Sequence, residues 1–128
     1  MRTRLGRTLL ATAILSGALL SPLAPHAAAS AQCAALKAEF SQNIRPQFLR
    51  IVNRNRDVGA YFRNELRRAQ RGETPTRDEI RRAYSKTRGV CRNAACRTGA
   101  QAVYGATLRL YTLNRKWKNS GCPGYLKG

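Results

Sequence analysis

Residues 33–72 read CAALKAEFSQNIRPQFLRIVNRNRDVGAYFRNELRRAQRG, and their periodicity decides the fold. At 100° per residue, Cys33, Phe40, Ile44, Phe48, Ile51, Val58, Leu66 and Ala69 all fall within about 40° of Phe62. A narrow apolar seam held in phase over nearly forty residues is the mark of helix that buries one stripe. Pro46 lies inside it, so the kept phase predicts one long helix kinked near Pro46, or two nearly collinear helices, without a reversal. Lys37 and Asn55 fall on the seam and interrupt it. Gly72 is placed to end the helix.

The rest of the chain extends this pattern. Thr76 followed by Glu79 has capping-box spacing, and Asp78 and Glu79 suit a helix N-terminus. Ile80, Tyr84, Thr87 and Cys91 then form an inner helical face, and Gly89 weakens or ends that helix. In 94–118, Val103, Thr107, Leu110 and Trp117 fit one helical face and Tyr104, Leu108 and Tyr111 a second. Leu108, Leu110 and Thr112 also alternate as a strand would. The expectation is a central helix apolar around much of its circumference, with a short hairpin in 103–117 as the alternative. The fold class is therefore all-α, a small disulfide-stapled bundle of three or four helices, or α+β if the hairpin forms. Residues 119–128, with Gly121, Pro123 and Gly124, read as a loop tail.

The N-terminal stretch has a different grammar. Arg2, Arg4 and Arg7 precede an uncharged apolar run from Leu9 to Leu20. Pro22 and Pro25 read as helix breaks, and Ala27–Ala29 supply small residues for a peptidase. This is the layout of a cleavable secretory leader over 1–29, cut after Ala29 or, second, after Ala31. The twelve-residue run is shorter than the ~20 residues that span a bilayer. The remaining 99 residues, 30–128, make a single domain destined for the periplasm or the outside of the cell.

Losing the leader changes the chemical inventory. It removes His26, the only histidine, and with it histidine acid–base chemistry and metal ligation from the mature chain. Of 24 basic residues 21 remain, against six acids, a formal charge of +15. Sixteen of the 21 are arginine, whose planar fork binds phosphates and carboxylates through paired hydrogen bonds. A GC-rich genome would produce the same bias. Cys33, Cys91, Cys96 and Cys122 are even in number and predict two disulfides, because a zinc site would want close pairs and only Cys91 and Cys96 are near each other. Three connectivities are open. The preferred pairing joins Cys91 and Cys96 each to a distant partner, since a Cys91–Cys96 bond requires a non-helical turn between them.

No phosphate loop or nucleophile–base pair is legible, and the acids Glu39, Asp57, Glu65, Glu73, Asp78 and Glu79 read as caps or surface partners. The expectation is no enzyme and no cofactor. Residues 45–97 carry fifteen basic residues against five acids. Arg50, Arg54, Arg56, Arg63, Arg67, Arg71, Arg81 and Arg82 lie off the apolar seams and are candidates for anion binding. Arg115-Lys116-Trp117-Lys118 adds an aromatic among cations, able to stack on a base or sit at a membrane interface, although the preferred reading of Trp117 itself is a core or rim residue near a helix end. These features predict a non-enzymatic binder of an anionic partner: envelope lipid headgroups, an acidic polymer, nucleic acid or an acidic protein. The alternatives are a membrane-active effector exposing the Phe40–Leu66 seam, or a structural or inhibitory partner of another envelope protein.

Overall fold

A computed structural model describes residues 24–127, with side chains from Ser30 onward. The leader reading falls mostly on residues outside that range. Four helices follow one another. The first, α1, joins Ala24–Glu39 to Arg45–Arg54 through a π turn at Phe40–Ile44. Then come α2 (Arg56–Ala69), α3 (Arg77–Gly89) and α4 (Ala94–Asn119). No strand occurs among the described residues, so the bundle is all-α and 103–117 is helix rather than hairpin.

Both prolines of α1 sit where a helix tolerates them. Pro25 occupies the first turn of α1, where its missing N–H has no partner to lose. Pro46 is accommodated by the π turn that immediately precedes it, in which Arg45 N–H donates to Phe40 O. The wider turn relieves the contact between the proline ring and the carbonyl four residues back.

The long central helix α4 organises the rest. Phe40, Ile44, Leu36 and Cys33 pack on Leu113 and Trp117 near its C-terminal end, whereas Asn55 meets Gly99 near its N-terminal end. Thus α1 runs antiparallel to α4. Next, Gly59 lies against Val103, and Phe62 joins Val103, Ile80 and Ala83 in the main core. So α2 runs back along α4, and the chain reverses at Asn55, contrary to the collinear expectation. The seam keeps its phase because both helices face the same partner; phase specifies a face and not an axis direction. Asn55 makes the break itself. Its side-chain amide donates to Ile51 O at 2.8 Å, which competes with the helical ladder. Its φ of −126° and ψ of 52° leave the helix.

The α2 helix ends at Ala69, three residues before Gly72. There Gln70 turns extended, and its side-chain amide donates to the carbonyls of Gly72 and Glu73. The capping box on α3 forms as expected. Glu79 N–H donates to Thr76 Oγ1 at 3.2 Å, and Thr76 N–H donates to Glu79 Oε1 at 2.8 Å. The backbone N–H of Thr76 is the main reason the Glu79 carboxyl is held below the ordinary carboxylate range. Burial opposes it, and the Thr76 hydroxyl, the Arg71 N–H and the Arg82 charge assist.

The disulfides are Cys33–Cys122 and Cys91–Cys96, with Cα separations of 5.8 and 5.4 Å. The expected pairing of Cys91 and Cys96 to distant partners is therefore wrong. The chain leaves α3 at Val90, passes through residues 91–93, and restarts at Asn93, which accepts from Cys96 N–H as N-cap. That non-helical turn is what the short bridge needs. All four sulfurs are paired, which leaves no four-thiolate zinc site. Two disulfides suit an oxidising, non-cytoplasmic compartment. Among the described residues, no helix is long and apolar enough to cross a membrane.

Candidate anion-binding surface

Every arginine and lysine from Lys37 to Lys127 is exposed. Helix geometry sorts them. On α2, Arg56, Arg63 and Arg67 share one stripe, and on α3 so do Arg77, Arg81 and Arg88, because residues four, seven and eleven apart return to one face. Arg50 and Arg54 are one turn apart on α1. Among the described residues only Arg68, Arg81 and Lys86 hold ion pairs.

Three concavities gather some of these cations. The smallest, about 160 Å³, lies between α2 and α3 and is lined by Arg68, Arg71, Arg82 and Lys86 around Glu65. Glu65 is 6% exposed, which corrects its reading as a surface acid. Its carboxylate meets Arg68 Nη1 at 3.5 Å and Lys86 Nζ at 3.8 Å. One buried anion thereby anchors two cations from neighbouring helices at the cleft mouth. Of the expected set, Arg71 and Arg82 come together here. Arg68 and Lys86 complete the cleft and were missed, because their meeting depends on the α2–α3 register.

A second concavity, about 390 Å³, is bordered by Arg109 and Lys116, with Glu39 beside them. The largest, about 590 Å³, runs between the 73–76 turn, α4 and the C-terminal tail. Its rim carries Arg115, Lys118 and Lys127, so the cluster at 115–118 splits between two concavities.

Trp117 belongs to neither. It is 8% exposed, packs with Leu113, Cys122 and Leu126, and donates its indole N–H to Pro123 O at 3.0 Å. It is a core residue and leaves the set of candidate stacking platforms. The tail it holds is more ordered than its glycines implied. Asn114 donates to Leu126 O at 2.8 Å and accepts from Leu126 N–H at 2.6 Å, an amide clamp that adds to the Cys122 bridge. Tyr125 and Lys127, also missed, form a cation–aromatic pair at 5.3 Å. An aromatic two residues from a lysine in the tail was the available signal.

The fold and surface define a small disulfide-stapled helical protein with a cationic exterior. No family model matches the chain, and no curated protein or solved structure matches it.

Proposed function

We propose that the protein is exported through its N-terminal leader and binds a polyanionic partner outside the cytoplasm without catalysing a reaction. The observation that carries this reading is the exposure of all 21 basic side chains beyond the leader, with ion pairs on only three among the described residues. Unpaired guanidinium groups along a helix stripe can each meet a phosphate or carboxylate of a repeating polymer. The Phe40–Leu66 seam packs into α4, which favours a binder over a bilayer-disrupting effector that would need that face free.

Two experiments test it. Expression with the leader intact followed by mass measurement should give a mature chain beginning at Ser30; retention of residues 1–29 on the exported protein refutes the leader. Chromatography of the purified protein on heparin, DNA and anionic vesicles should show retention above physiological salt on at least one. Elution at physiological salt from all three refutes polyanion binding.

A further inference from the structure

The groove between the 73–76 turn, α4 and the tail is lined by two aromatic rings, Tyr111 and Tyr125, which the other two concavities lack. Its floor is apolar, built from Leu110 and Tyr111 of α4 with Leu126 of the tail, and its rim is cationic. Thr107, Tyr111, Asn114 and Lys118 fall on one face of α4 by their spacing of four, seven and eleven residues. Arg115 sits one position aside and reaches back, with Nη1 3.4 Å from the Tyr111 hydroxyl and its guanidinium 6.0 Å from the ring centre. On the tail side, Lys127 Nζ lies over Tyr125 at 5.3 Å. Cations on both walls thus ride on aromatic rings above an apolar floor. The tail wall is held by the Asn114 clamp, so the groove is preformed. Its volume, about 590 Å³, is that of a small-molecule site.

We infer that this groove binds a single-chain alkyl phosphate monoester, its chain along Leu110, Tyr111 and Leu126 and its phosphate among Arg115, Lys118 and Lys127. The choice of phosphate over carboxylate follows from charge. Three cations face one acid, Glu73, across the groove. A phosphate monoester brings close to two negative charges where a carboxylate brings one. The inference rests on the anion-binding reading and deepens it by giving one of its sites a ligand class.

Titration calorimetry of the intact protein with decyl phosphate, octyl phosphate, decanoate, decanol and inorganic phosphate tests it. Burial of two methylenes should make decyl phosphate about tenfold tighter than octyl phosphate. Decanol, lacking the charge-assisted bonds, should bind at least about tenfold more weakly than decyl phosphate, and decanoate should fall between. Lys127→Gln should weaken decyl phosphate and leave decanol unchanged, whereas Leu110→Ser should weaken both. Inorganic phosphate binding as tightly as decyl phosphate, no dependence on chain length, or decanoate matching decyl phosphate would overturn the inference. Heparin retention of the same preparation is read separately, so failure of the groove and failure of polyanion binding are distinct results.

Discussion

Gly99 and Gly105 lie six residues apart on the same helix, and the same substitution at each should move stability in opposite directions. A Cβ at Gly105 meets nothing nearer than Arg109 Nη1 at 4.0 Å. Gly105→Ala should therefore realise most of the helix-propensity gain, about 0.5–1 kcal/mol of stabilisation. A Cβ at Gly99 would stand 2.5 Å from Asn55 Oδ1 and 3.2 Å from Val58 Cγ1. Asn55 cannot simply swing away, because its amide donates to Ile51 O at the chain reversal. Overpacking costs about 1–3 kcal/mol, and loss of that hydrogen bond about 1 kcal/mol. Set against the propensity gain, Gly99→Ala should destabilise by about 1–3 kcal/mol, a fall in melting temperature of about 4–8 °C per kcal/mol for a domain of this size. Urea denaturation with both variants supplies the comparison. Adding Asn55→Ala to Gly99→Ala should cost less than the two single changes summed, since the clash is then gone. Stabilisation by both glycine replacements would refute the close approach of Asn55 to α4, and with it the reversal that places α1 and α2 on one partner.

Three further outcomes are expected. The Cys33–Cys122 bridge spans 89 residues and the Cys91–Cys96 bridge five. By the loop-entropy relation, replacing the first pair with serine should cost about 4–5 kcal/mol, and replacing the second about 2 kcal/mol; equal shifts in urea midpoint would contradict it. Because the Glu79 carboxyl is held below its ordinary range, the stability it contributes is present above that range and is lost as pH falls through its folded value. Glu79→Gln should flatten the acid limb of a stability-against-pH curve, and an unchanged limb would refute the role given to the capping box. Asn114→Ala removes both amide bonds to Leu126 and should release the tail, read as faster hydrogen exchange at Leu126 N–H with α4 protection unchanged; unchanged exchange at Leu126 would show that the Cys122 bridge alone suffices.

Much of the architecture was legible because it rests on local rules. The seam from Cys33 to Ala69 named Cys33, Phe40, Ile44, Ile51, Phe62 and Leu66, which pack in the two core clusters, and Thr76 with Glu79 marked a helix start that forms as written. What escaped depends on how helices meet. The reversal at Asn55 was invisible to periodicity, although the polar side chain on the seam was the sign of it. Cys91–Cys96 turned on the four residues, 90–93, between two helices. In the candidate site, Arg71 and Arg82 were identified individually, but Arg68, Lys86 and the grouping around Glu65 required the α2–α3 register. The fate of Trp117 was decided by the tail folding back to offer it the Pro123 carbonyl, six residues on, which the four side chains at 115–118 do not encode.

The most direct measurement is the equilibrium affinity for heparin as a function of salt. An exposed, largely unpaired cationic surface predicts binding that persists above about 0.15 M salt, the physiological ionic strength. A log–log plot should fall linearly and steeply, as released counterions report several simultaneous contacts. A flat plot, or no measurable binding at physiological salt, would contradict the assignment of these arginines to a polyanionic partner.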